Sequence, residues 1–205
     1  MEPTILEATS LKLGDVVLCY SPDMRGQRSG LENGYSHAAI CIEDSGLLEA
    51  AAGGVRSTSV ELLLEEYGHL AILRNDELWD VPRLELLKQF ALASKGKVFN
   101  NSGLKKYEVN RREYQDSAME RVHGHFAGRR LLVSPEKESY FCSELVTSAF
   151  ISVGIIDESA ATLFIPDTFL PEDIGRDKVF GFFVGYMVAY NGYEIPAHDM
   201  FRFAV

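Results

Sequence analysis

Phe141-Cys142-Ser143-Glu144-Leu145-Val146, read with Ser36-His37-Ala38-Ala39-Ile40 about a hundred positions upstream, decides how this chain is expected to fold. Leu145, Val146, Ala149, Phe150 and Val153 recur at helical spacing, and Gly154 follows as a stop. The spacing therefore predicts an amphipathic helix that Cys142 opens. A thiol at a helix N-terminus feels the positive end of the macrodipole, which favours the nucleophilic thiolate. His37 begins the apolar run His-Ala-Ala-Ile-Cys-Ile, which reads as a buried strand. A cysteine on a helix facing a histidine on a strand is the minimum arrangement for covalent acyl transfer.

Working outward, Leu13-Gly14-Asp15 reads as a turn that leads into the strand Val16 to Tyr20. Residues 21–35 form a polar, glycine-bearing loop that delivers the chain to His37. A turn near Glu43-Asp44-Ser45-Gly46 separates the strand 37–42 from a second apolar run, Leu47 to Ala51, which Ala52-Gly53-Gly54 ends. Val60 to Tyr67 is a predicted short helix and Leu70 to Leu73 a further strand. Pro82 at the first helical position starts a helix to about Ser94, with Gly96 as its stop. Pro171-Glu172-Asp173 opens a short helix, and the segments Val179–Tyr190 and Met200–Val205 read as closing strands.

The turn after His37 supplies a geometric expectation. With a pivot near Glu43, Glu49 lies directly across from His37, and opposed side chains in an antiparallel pair have Cβ atoms roughly 5 Å apart. A pivot at Ser45-Gly46 instead carries Glu49 out of reach. Glu49 is a lone carboxylate inside an apolar run, and a buried carboxylate without a partner is costly. Paired with His37, it would fix the imidazole tautomer and stabilise the imidazolium. Cys142, His37 and Glu49 are thus the candidate catalytic set.

Composition narrows the class. The 205 residues are most simply one domain, with 46% hydrophobic and 24% charged side chains. A net charge of −10 argues against broad nucleic-acid binding. Cys19, Cys41 and Cys142 make neither a disulfide framework nor a metal-type spacing, which fits a reducing compartment. Cys19 and Cys41 read as small core hydrophobes. The N-terminus lacks the apolar segment of a secretory signal, and Val179 to Tyr190 is too short to span a bilayer. The expectation is a cytoplasmic protein with no membrane span.

The stretch 104–138 differs in kind, carrying eight Lys and Arg against five Asp and Glu from Leu104 to Lys137 in an otherwise acidic chain. It reads as a polar insertion: a lid, a specificity loop, a surface for a protein partner, or a solvated helical excursion. His123-Gly124-His125 with His69 or His198 lacks metal-ligand spacing, and no phosphate-binding loop is present, so neither metal nor organic cofactor is expected. Glu144 lies roughly 200° around the helix from Cys142 and is expected to stabilise the helix start. The N–H of Cys142 is the expected oxyanion donor, with Ser143 adjoining it. Tyr140 either enters the cleft or packs beneath the helix.

Taken in order, Gly14-Asp15-Val16-Val17, Ser36 to Ile40, Tyr140 to Val146, Pro166-Asp167-Thr168 and Pro171-Glu172-Asp173 resemble the YiiX-like branch of the NlpC-type cysteine hydrolases. That resemblance implies an α+β, circularly permuted papain-like fold, in which the histidine strand precedes the cysteine helix and an antiparallel sheet packs on that helix. It implies Cys142 as nucleophile, His37 as base and acid, and Glu49 as the orienting residue. It also implies a pocket bordered by Ser36, Tyr140, Ser143 and the Asp167 segment. The implied activity is cleavage of an amide, peptide or isopeptide bond, murein fragments included, in a peptide or acyl-bearing small substrate. Two other readings stay open: an acyltransferase or lipid thioesterase similar to the lecithin–retinol acyltransferase group, whose cysteine motif differs from Phe-Cys-Ser-Glu, and a binding module with an inactive cleft.

Overall fold

The computed structural model describes residues 3–22, 34–44, 46–129, 136–157 and 160–202. In chain order these form β1 (Val16–Tyr20), β2 (Tyr35–Glu43), β3 (Gly46–Ala51), β4 (Gly54–Ser59), α1 (Val60–Glu66), β5 (His69–Arg74), α2 (Val81–Ser94) and β6 (Val98–Phe99). They continue with α3 (Asn101–Asp116), α4 (Ala118–Phe126), β7 (Ser139–Tyr140), α5 (Cys142–Ser152), α6 (Pro171–Arg176) and β8 (Phe182–Val188). Six strands make one antiparallel sheet in the order β4-β3-β2-β1-β5-β8, and β6 pairs with β7 in parallel. The chain is an α+β protein, as expected.

An antiparallel sheet often meets water on one face, and its strands then alternate apolar and polar residues. Here β1 reads Val-Val-Leu-Cys-Tyr and is buried throughout, because helices cover both faces. Val16, Leu18, Ile40 and Leu48 pack under α5 and α2, against Leu145, Val146, Phe150 and Phe90. Val17, Cys19, Ala39, Cys41 and Leu47 point the other way, where Val60 and Leu63 of α1 cover them.

The head of α5 is held by Glu144. Its carboxylate accepts from the Phe141 N–H at 3.1 Å, from Asn100 Nδ2 at 3.0 Å and from Lys137 Nζ at 2.6 Å. One buried side chain thereby satisfies an orphan helix-cap donor and ties α5 to the chain on both sides of the insertion. Asn100 also accepts from the Gly103 N–H at 2.8 Å, so it caps α3 while it grips α5. At the other end Gly154 takes φ +70°, the left-handed stop that the sequence marks.

Several expectations need correction. Pro82 is the second residue of α2, because Asp80 takes the cap position and Val81 opens the helix. Ala52-Gly53-Gly54 does not simply end an apolar run but turns the chain into β4. Gly54 has φ +101°, and a Cβ there would meet the Lys97 carbonyl oxygen at 2.5 Å, so glycine is required. The insertion begins at Asn101 and is largely α3 and α4, with residues 130–135 outside the described set. It is pinned down by Arg111 on Asp173 at 2.7 and 3.0 Å. Met200–Phe201–Arg202 form a turn and no strand, and 203–205 lie outside the described residues. Asp199 accepts the Phe201 N–H at 2.9 Å together with the Tyr35 and Tyr186 hydroxyls, and this local side-chain bond competes with strand pairing. Of the loop read over 21–35, residues 23–33 also fall outside, as does Ser45 of the following turn.

Among the described residues no helix is long and apolar enough to cross a membrane. Glu144→Ala is expected to lower stability by about 2–3 kcal/mol, since it leaves three donors around the α5 head without their acceptor. Urea denaturation checks this, and an unchanged midpoint would refute the anchoring role.

Candidate active site

Two irregularities at one end of the sheet build the site. β1 and β2 pair Cys19 with His37 and then Tyr20 with Tyr35, so Ser36 is the extra residue of a β-bulge. β2 and β3 pair only as far as Ala39–Glu49, although β2 reaches back to Tyr35 and β3 runs on to Ala51. Beyond that last rung the Ala38 N–H is bonded to the sulfur of Cys142, which enters from the helix side.

His37 has the strand parity of Ala39 and Cys41, so its side chain lies on the α1 face. Glu49 stands across from Ala39, not from His37, because the hairpin pivots later than expected. The two residues are diagonal neighbours on one face, a separation of about 7–8 Å between backbones that a glutamate spans. Its Oε2 lies 2.7 Å from His37 Nε2. Cys142 interacts with the same imidazole, and with Nε2 on Glu49 the ring keeps Nδ1 for a second partner. Tyr67, the residue after α1, stacks on the imidazole with ring centroids 5.7 Å apart and planes within 4°.

Electrostatics single out one cysteine of three. Burial drives Cys19 well above the usual thiol value and pushes Cys41 up to about 12. Burial acts on Cys142 in the same sense, but there the His37 hydrogen bond and charge, with the Ala38 and Ser143 N–H groups, prevail and lower it. For His37, burial disfavours the cation, yet the bonds to Cys142 and Glu49 raise its value to about 9. Burial likewise disfavours the Glu49 anion, and the bonds from His37 and Arg56 outweigh it. The arrangement therefore favours a thiolate–imidazolium–carboxylate chain.

The cleft beside this chain has a volume of about 540 Å3. Ala50, Ala51, Ala52 and Gly53 line one side, and Tyr67, Phe99, Asn101 and Leu104 line others. Of the candidate binding residues, Ser36 lines the cleft. Tyr140 does not: it is buried beneath α5, packs edge-on against Phe90 and accepts the Lys137 N–H at 2.8 Å. Ser143 is fully buried and donates to the Phe169 carbonyl at 2.7 Å, which turns its hydroxyl away from the cleft. Asp167 accepts from Asn110 Nδ2 of α3 at 3.4 Å and does not line the cleft. These three are scaffold contacts. His69, weighed as a metal ligand, is instead buried against Asp199 at 3.0 Å.

Sequence reasoning missed Arg56 and Tyr67. Arg56 lies across from Glu49 in the β3–β4 ladder, and its Nε donates to Glu49 Oε1 at 2.8 Å. The signal was Gly53-Gly54 between two extended runs, a hairpin signature that fixes this register. Tyr67 carried no signal, since its position follows from the length of α1.

His37 is about 9 in the folded chain against an ordinary 6.5. Its charge therefore adds stability that is complete below pH 6.5 and is lost as pH rises through about 9. Cys142→Ala removes the strongest upward influence, so the imidazole titration followed by NMR should move down; an unmoved curve would deny the pairing. Compared with known proteins, this chain matches no family model, no curated protein and no solved structure.

Proposed function

We propose that the protein is a cysteine hydrolase that cleaves an amide or peptide bond through a thioester on Cys142. The observation that carries this reading is the continuous chain from the Cys142 sulfur through His37 to Glu49, open to a cleft. The order of elements, a histidine strand before a cysteine helix in an antiparallel sheet protein, supports a circularly permuted papain-like, YiiX-type fold.

The thiolate of Cys142 attacks the substrate carbonyl carbon, and the carbonyl electron pair moves to oxygen. The resulting oxyanion is met by the Cys142 N–H at the head of α5, one of the amides that has no partner within its helix. The carbon–nitrogen bond breaks, and the leaving amine takes its proton from the His37 imidazolium. Neutral His37 then accepts a proton from water as the hydroxyl attacks the thioester. The carbon–sulfur bond breaks, the acid is released, and the thiolate and imidazolium are restored. Glu49 keeps the ring in its tautomer and balances its charge throughout.

A peptide-like substrate is favoured by a modest cleft with polar Ser36, Asn101 and Arg56 among its walls. The free thiols of Cys19, Cys41 and Cys142 fit a reducing, cytoplasmic setting.

Cys142→Ala should abolish turnover, His37→Ala should cost roughly 100-fold or more, and Glu49→Gln should cost roughly tenfold or more. Incubation with a library of activated acyl and peptidyl probes, read by mass spectrometry, should load aminoacyl or peptidyl groups on Cys142. Loading of long acyl chains alone would replace this reading with the acyltransferase or thioesterase one. No loading, with alkylation of Cys142 indifferent to His37, would reduce the site to a binding cleft.

A further inference from the structure

Arg56 emerges from the middle of β4 with its side chain half exposed, yet its Nε is spent on a carboxylate that is almost wholly buried. Glu49 thus receives a bond at each oxygen, from His37 Nε2 at 2.7 Å on one side and from Arg56 Nε at 2.8 Å on the other. The register makes the second contact obligatory, because Glu49 and Arg56 are directly opposed while Glu49 reaches His37 only diagonally. A carboxylate held at one oxygen can turn about its last torsion and exchange its oxygens. Held at both, by a ring nitrogen on one oxygen and a guanidinium N–H on the other, it is confined to one orientation.

We propose that Arg56 is a positioning residue of the relay, locking the Glu49 carboxylate so that Oε2 stays on His37 while Oε1 is kept from water at the cleft wall. The proposal deepens the hydrolase reading and rests on it. The titratable and charged groups around Glu49 are His37 from β2, Cys19 from β1, Arg56 from β4 and Tyr67 after α1, with Cys142 on the far side of His37 and Glu66 near Arg56. Of these, His37 and Arg56 are the groups that hydrogen-bond the carboxylate and hold it ionised against its burial. Arg56 has also to balance Glu66 on the same rim of the cleft, to which it is attracted.

A half-exposed ion pair often contributes little, and that is the rival outcome. The contact is screened by salt where a buried one would not be. Arg56→Ala, Arg56→Lys and wild type are compared by carbon-13 NMR of the Glu49 carboxyl and by the pH profile of iodoacetamide labelling at Cys142. In R56A the Glu49 titration is expected to move up, the acid limb of labelling to follow it, and the plateau rate to fall about fivefold. R56K keeps the charge without the Nε–H that bonds Oε1, so the titration should return toward wild type while the rate recovers only in part. Wild type in 1 M NaCl should shift toward R56A. Coincident titrations and profiles for R56A and wild type, with His37→Ala still suppressing labelling, would overturn the role of Arg56 and leave the dyad standing. Labelling indifferent to His37→Ala would remove the parent reading and this one with it.

Discussion

The site depends on the place where β2 and β3 part company. The cysteine helix packs on one face of the sheet and the histidine side chain projects from the other. In a continuous ladder the strand backbone would separate sulfur from imidazole. The pairing stops after Ala39–Glu49, and the next amide, Ala38, is given to the sulfur. A buried N–H without a partner is expensive, and the sulfur offers the Ala38 amide an acceptor at this opening. The Ser36 bulge on the other side of β2 frees the strand to diverge there.

That opening brings charge into a place where charge is costly. His37 and Glu49 are nearly closed to solvent, and isolated ions there would neutralise. They persist as a series of alternating sign, sulfur, imidazole, carboxylate and guanidinium, each member flanked by its opposite. Cys19 and Cys41 are buried in the same sheet, but there burial outweighs every favourable contact, and their thiols are correspondingly harder to ionise. Reactivity in this chain is a property of surroundings and not of the residue type.

How far this could be read in advance follows from the range of each interaction. The helix headed by Cys142 and the strands around Val17 and Ile40 announce themselves by local apolar patterning, which is strong because both sheet faces are covered. The His37–Glu49 contact was legible because strand parity survives an error in the turn: the expected partner was displaced by two residues and remained on the same face. Arg56 escaped because the chain reversal at Gly53 was read as an ending. Tyr140, Ser143 and Asp167 sit close to Cys142 in sequence or motif, but proximity along a chain does not fix which way a side chain points. Ser143 shows this plainly, one residue from Cys142 yet aimed at Phe169. The helices α3 and α4 bury few side chains, Tyr107 and Arg121 among them, so their polar sequence gave little periodic signal.

The two sides of the cleft are built of different material. Along Ala51, Ala52 and Gly53 the boundary is essentially main chain with methyl groups, and a larger residue there would narrow the cleft. Elsewhere on the wall, Phe99, Asn101 and Leu104 bring full side chains at the start of a helix tethered through Asn100. Inheritance can therefore retouch one bank of the channel freely while the other stays nearly fixed. Change in the shape of the channel would accumulate where the inserted helices begin, leaving the sulfur and its imidazole undisturbed.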